Sequence, residues 1–187
     1  ARGKYLANHV SLCIDCHSKR DWATFSAPPV PGTEGMGGEK FLKDYGFPGN
    51  FYSGNITPAA LKDWSDGEIY RTITEGVDRN ERPFFPVMPY PHYASMDPED
   101  VEAIIAYIRT LKAIKNVVKI SEPDFPFSLI IRTIPKKATP GKRPDPSQVI
   151  DYGGYLVNMA ACFDCHTEFD KGEYNEAKAF AGGRVFP

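Results

Sequence analysis

The sequence predicts a mainly α protein of two tandem units, the first complete and the second incomplete. Three observations lead there. The string Cys-x-x-Cys-His occurs as Cys13-Ile14-Asp15-Cys16-His17 and again as Cys162-Phe163-Asp164-Cys165-His166. A similar lead precedes each string, Gly3-Lys4-Tyr5-Leu6-Ala7-Asn8 in one case and Gly153-Gly154-Tyr155-Leu156-Val157-Asn158 in the other. Landmarks repeated in a fixed order signal internal duplication. Apolar residues elsewhere recur at three- and four-residue intervals, the period of amphipathic helices.

The elements follow in order. Gly3 to about Cys16 is expected as one helix, carried by Tyr5, Leu6, His9, Val10 and Cys13. Residues 26–58 are dense in glycine and proline and predict an extended wrapping loop. Ser65 opens a second helix, with Glu68 at the capping-box position and Gly76 as the stop. Asp97 caps a third, where Pro98 suits the first turn and acidic side chains complement the helix terminus. That helix should run to about Leu111 on the stripe Val101, Ile104, Ile105, Ile108 and Leu111, with Tyr107 beside it.

Residues 1–115 thus form the first unit. Residues 116–148 are a proline-rich basic linker, expected to be ordered in part by Phe125, Phe127 and Leu129 against a domain surface. Its cluster Lys136, Lys137, Lys142 and Arg143 reads as a solvated run. Residues 149–187 begin the second unit, where Gly182-Gly183-Arg184-Val185-Phe186 echoes Gly37-Gly38-Glu39-Lys40-Phe41. Only 21 residues follow His166, too few to complete a domain like the first.

Cys-x-x-Cys-His is the attachment signature of c-type haem. Cysteines at i and i+3 share one helix face and can bond two vinyl groups of one porphyrin, while the adjacent histidine ligates the iron. The two strings use all four cysteines and two of the four histidines. A four-cysteine zinc site leaves the histidine after each pair unexplained. A redox disulfide lacks its usual setting of alternating strands and helices. Two covalent haems are therefore expected, at Cys13, Cys16 and His17 and at Cys162, Cys165 and His166.

For the first iron the candidate sixth ligand is Met88, in the proline-held loop Pro86-Val87-Met88-Pro89-Tyr90. A thioether ligand favours ferrous iron and raises the potential. Met96 and Met36 are expected as core or gap filler. His92 is expected at the surface or in a hydrogen bond, and His9 facing solvent or beside its helix. No methionine follows His166, so the second iron's sixth ligand stays open.

The net charge of −2 excludes nucleic acid or an acidic membrane surface as a general partner. No stretch approaches the ~20 apolar residues of a membrane span. Acidic pairs such as Asp66/Glu68 and Asp97/Glu99 are explained by helix starts, so no acid–base constellation points to an enzyme. Covalent haem attachment takes place outside the bacterial cytoplasm, and a targeting segment or N-terminal anchor is expected to have been removed.

These residues resemble the class I cytochrome c family, and more closely its multihaem members that serve as cytochrome subunits of membrane-bound dehydrogenases. The resemblance covers nearly the whole chain. It implies cytochrome c-like haem domains in which Gly3 of the first helix crosses Tyr107 of the last. Gly54-Asn55-Ile56-Thr57-Pro58, Trp64-Ser65-Asp66 and Met88-Pro89-Tyr90 match the family's propionate-side loop, middle helix and methionine loop in order. Pro28, Pro29 or Pro31 would supply a carbonyl to His17, and 124–129 is similar to an interdomain linker. The implied role is a non-enzymatic electron carrier cycling Fe(II)/Fe(III), periplasmic or on the outer face of the inner membrane. It would take electrons from a dehydrogenase and pass them to an oxidase or another cytochrome, with any membrane association residing in segments absent from this chain. A dihaem peroxidase with an open iron is the alternative, and a gas or redox sensor a third reading.

Overall fold

The first helix breaks where periodicity predicts continuity. In the computed structural model, which describes residues 1–170 and 172–185, α1 (Arg2–Tyr5) passes into a π-helical turn, Leu6–Val10. The Ser11 amide closes that turn on the Leu6 carbonyl at 2.8 Å. Leu12 then takes a left-handed conformation, φ 51° and ψ 32°, and α2 (Cys13–Cys16) starts afresh. A leucine pays about 1–2 kcal/mol for this geometry. Buried contacts of Leu6, Ala7 and Val10, and a 2.7 Å hydrogen bond from the Tyr93 hydroxyl to the Ser11 carbonyl, offset it.

The glycine- and proline-rich segment holds short strands that periodicity did not predict. β1 (Lys40–Phe41) and β2 (Gly49–Tyr52) pair antiparallel, with Phe41 opposite Phe51. After α3 (Pro58–Leu61), α4 (Asp66–Glu75) begins as expected. Both arms of the capping box form: the Glu68 amide donates to Ser65 Oγ at 3.2 Å, and the Ser65 amide to Glu68 Oε2 at 2.7 Å. Gly76 closes α4 at φ 71°, and a Cβ there would overlap the Tyr90 ring of α5 (Tyr90–Tyr93). α6 (Pro98–Ile108) carries its Asp97 cap, which accepts from the Glu99 amide at 2.9 Å. It ends at Ile108, short of Leu111.

Gly3 does meet the last helix of the first unit, but at Ala103, one turn before the expected Tyr107. A Cβ on Gly3 would overlap the Ala103 carbonyl, so α1 and α6 approach backbone to backbone. Leu6, Val10, Leu61, Ile69, Tyr93, Met96, Val101, Ile104 and Ile108 fill the core around that crossing. Met96 is thus core, as expected.

The linker is strapped to the first unit. β3 (Glu122–Pro123) pairs with the free side of β2, giving the order β1-β2-β3. Phe125 and Leu129 do not anchor it and are exposed; Phe127, at the head of α7 (Phe127–Ile130), and the buried Ile131 do. Further on, the Thr139 amide donates to the Ala94 carbonyl and the Gly141 amide to the Ser95 carbonyl, at 3.0 and 3.1 Å. Arg143 is not solvated as expected. Its amide donates to Asp97 and its guanidinium to the buried Asp100 carboxylate.

α8 (Val149–Met159) then lies on the first unit and delivers Met159 into the same core. The Tyr155 hydroxyl donates to Asp100 at 2.8 Å and accepts from the Asp97 amide at 3.1 Å. Arg2 bonds Asp100 as well, and donates to the Tyr152 hydroxyl at 3.1 Å. Burial alone would raise the Asp100 carboxyl, but Arg2, Tyr155 and Arg143 hold it below the usual range. α9 (Cys162–His166) leads to a hairpin of β4 (Phe169–Asp170) and β5 (Glu173–Tyr174). Helix is the main regular structure, yet only 39% of the described residues are helical, because much of the chain wraps as loop and strap. Phe186 of the second glycine-pair echo, and Pro187, lie outside the described residues.

Candidate haem-binding sites

Each Cys-x-x-Cys-His string is launched by a left-handed residue. Ala161, φ 51° and ψ 33°, stands where Leu12 stands in the first unit, and both release the cysteines as the start of a new helical turn. Each string is also closed in the same way. The Gly37 amide donates to the His17 carbonyl at 2.7 Å, and the Gly182 amide donates to the His166 carbonyl at 2.7 Å. The glycine pairs are needed because Gly37, Gly38, Gly182 and Gly183 all have φ between 71° and 99°. The sequence echo of glycine pairs therefore has a shared structural cause.

In the first site the His17 ring is fixed by its Nδ1, which lies 2.7 Å from the Gly54 carbonyl oxygen and donates to it. The predicted prolines do not fill this role. The Pro28 carbonyl accepts from the Asp21 amide instead, and Pro29 bridges to Arg20. Gly54 reaches the histidine because Gly37 has no side chain: a Cβ on Gly37 would overlap the Gly54 carbonyl. Burial pushes the His17 imidazole below its ordinary value, so the ring is neutral near pH 7. A neutral ring whose Nδ1 is engaged presents Nε2 for metal ligation, the usual arrangement of a ligating histidine.

Cys13 and Cys16 are unpaired thiols one helical turn apart. Burial pushes the Cys13 thiol up to about 12, and it also raises Cys16. Such thiols are protonated at neutral pH, unlike the low-pKa thiolate of a redox Cys-x-x-Cys. Among the described residues, no group of three or more His, Cys, Asp and Glu side chains assembles into a metal centre, so the zinc alternative finds no site.

Met88 sits half-buried in a loop tied at both ends. The Phe84 amide donates to the Gly76 carbonyl at 2.7 Å and the Tyr90 amide to the Met88 carbonyl at 2.7 Å. Phe85, three residues earlier, stacks on Phe51 at 4.5 Å and meets Phe47 and Phe127 edge-on at 5.8 and 5.5 Å. This aromatic cluster joins β2, the methionine loop and the linker. Met36 is half-buried in its glycine-rich loop, its carbonyl accepting from Asn116 at 2.9 Å. His9 is exposed beside Tyr5, as expected.

The second site repeats the donors in a more open setting. Cys165 and His166 are exposed. Phe163, Phe169, Tyr174 and Phe180 form an aromatic group at the motif, and the Arg184 guanidinium lies 4.6 Å over the Phe169 ring. His92 does take the hydrogen-bonding role expected of it: its Nε2 lies 2.9 Å from Asp164 Oδ1 and its Nδ1 3.0 Å from Asn158 Oδ1. The sequence assigns no site role to Tyr93, Phe85 or Asp100, and none to Gly54 as the partner of His17. Only the Gly-Asn-Ile-Thr-Pro string around Gly54 carried a signal.

The donor set, the neutral imidazole, the protonated thiol pair and the apolar surround fit a covalently bound haem at the first motif. At the second motif the donors fit equally, with less cover. No protein-family model matches the chain. It is 30% identical over 185 residues to the gluconate 2-dehydrogenase cytochrome c subunit of Pantoea cypripedii, covering 89% of this chain and 37% of that protein. It is 27% identical over 201 residues to the cytochrome c subunit of quinone alcohol dehydrogenase from Gluconacetobacter polyoxogenes, covering 99% of this chain and 39% of that one. A dihaem c-type cytochrome of Cereibacter sphaeroides is 26% identical over 187 residues, with 91% and 58% covered. The chain thus spans less than two-fifths of either dehydrogenase subunit. Over most of its length it is similar to cytochrome c subunits of dehydrogenases and to a dihaem cytochrome c, and this kinship implies covalently bound haem c with its iron.

Proposed function

We propose that this chain, an electron-transfer cytochrome by kinship, carries two haems and relays single electrons from a dehydrogenase to a downstream oxidase or cytochrome. The bound haem supplies the Fe(II)/Fe(III) couple; the protein's work is to fix, shield and tune it. Cys13 and Cys16 tether the first haem. His17 Nε2, its ring kept in one tautomer by the Gly54 carbonyl, would ligate the iron together with Met88. Cys162, Cys165 and His166 hold the second. The chain's division into a first unit at 1–115, a strap at 116–148 and a second unit from 149 follows a tandem duplication. We place the protein in the periplasm or on the outer face of the inner membrane. Among the described residues no helix is long and apolar enough to cross a membrane.

One observation carries this reading. Both strings have the same left-handed entry and the same 2.7 Å closure by a glycine amide. Two motifs built to one plan take one kind of cofactor. The sequence alternative of a dihaem peroxidase finds no support in the relatives, whose names describe cytochromes. A spectroscopic redox titration of the holoprotein tests the proposal. Two reversible one-electron waves with a low-spin first haem are expected. A high-spin ferric haem at either motif that turns over peroxide would overturn it.

A further inference from the structure

The two ring nitrogens of His92 face two oxygens from the second unit. Nε2 lies 2.9 Å from the Asp164 carboxylate, between the cysteines of the second motif, and Nδ1 lies 3.0 Å from Asn158 Oδ1 on α8. The Asn158 amide cannot be turned round to offer a donor instead. Its Nδ2 already donates to the His92 carbonyl at 3.2 Å and to Ser95 Oγ at 3.1 Å. The Asp164 carboxylate offers acceptor oxygens only. A neutral imidazole has one N–H and can serve one of the two oxygens, whereas an imidazolium serves both. The geometry therefore selects the cation.

The clasp is not an inherent part of the motif. In the first unit the residues matching Asn158 and Asp164 are Asn8 and Asp15. There Asn8 Oδ1 is buried with no hydrogen-bond partner among the described residues. His92 also lies on α5, four residues past Met88, so it joins the end of the first methionine loop to the second cysteine motif. We propose that His92, as an imidazolium, is a positioning residue that clasps the second cysteine–histidine motif to the first unit. This rests on the dihaem reading above.

The surroundings support a charged ring. Hydrogen bonding to Asp164 raises the His92 value above 6.5, outweighing burial, and Asn158 adds to it. Asp164 from α9 is the charged group that raises it, and Asp164 in turn meets the Tyr174 hydroxyl at its carboxylate and the Arg184 guanidinium at its carbonyl; α8 brings the uncharged Asn158 amide. On its own helix, the buried Tyr90 and Tyr93 phenols are pushed up and stay neutral, and α4 meets α5 where Gly76 lies against the Tyr90 ring. Since the folded value is raised, the clasp is complete below pH 6.5 and is lost as pH rises through the folded value.

Hydrogen exchange on the full-length holoprotein tests this, with protection factors for the amides of 149–166 followed across pH. In the wild type, protection should fall as pH rises above 6.5. In His92→Gln it should be lower by about tenfold or more at pH 6, as expected for loss of a charge-assisted hydrogen bond, and flat across the same window. Asp164→Asn and Asn158→Ala should each give part of that loss, the second without touching the motif itself. Wild-type protection in His92→Gln, or a pH dependence that survives it, would overturn the clasp. Haem count by mass on the same samples reports separately on the dihaem reading.

Discussion

Replacing Gly3 by alanine probes the crossing on which the first unit is built. The new Cβ would overlap the Ala103 carbonyl, a backbone atom that cannot swing away, so α1 and α6 must part by on the order of 1 Å. A gap of that size forfeits roughly a quarter to a half of the contact energy of side chains across it. Leu6, Val10, Val101 and Ile104, all nearly or fully buried, line the crossing. At about 2–3 kcal/mol of burial each, the loss is roughly 2–6 kcal/mol. Alanine returns about 1 kcal/mol through its better helix propensity. The net destabilisation is then about 1–5 kcal/mol, a fall in Tm of about 3–15 °C for a chain of this size. Thermal unfolding of the holoprotein by circular dichroism measures it. Gly154→Ala is the matched control, because it lies in α8 with no atom within 4 Å of the added carbon. It should be neutral or slightly stabilising. Equal Tm values for Gly3→Ala and the wild type would refute the close crossing.

Three further outcomes follow from the sites. Met88→Ala should remove the methionine-to-iron charge-transfer band and lower the potential of one haem only, read by optical redox titration; an unchanged spectrum would exclude Met88 as ligand. Gly37→Ala combines a φ of 71° with a clash against Gly54, and should destabilise by about 2–3 kcal/mol. It should also shift the resonances of the His17 ring, because the Gly54 carbonyl that holds Nδ1 must move. Asp100→Asn leaves Arg2 and Arg143 facing a neutral group and should cost about 3 kcal/mol in denaturant unfolding. In the wild type the Asp100 value is depressed below the usual 3.8, so its contribution is present above that pH and is lost as pH falls through the folded value. Acid unfolding should show that loss, and Asp100→Asn should flatten it.

What the sequence made legible was local chemistry. The caps at Ser65 and Asp97 and the stop at Gly76 are decided by residues within one turn, so they could be named to the residue. The cysteine strings likewise declare themselves. The left-handed Leu12 and Ala161 could not be seen, since positive φ usually falls to glycine or asparagine and here tertiary packing imposes it on other residues. Gly54 replaced the prolines as the partner of His17 because acceptor choice depends on how close two loops come, and that closeness was set at Gly37. The short strands are not legible in the sequence because two to four residues carry too little periodicity. The linker misled by composition: proline and basic residues suggested a solvated tether, yet Arg143 and Ile131 are drawn in by Asp100 and the apolar surface, contacts far off in sequence.

Both strings are expected to carry covalent haem. Intact mass of the native protein under denaturing, reducing conditions tests it most directly, with Cys165→Ser and Cys16→Ser as site controls. The expected mass is that of the chain plus two haems that stay attached after unfolding. A mass equal to the bare chain, or to the chain with one haem still attached, would contradict it.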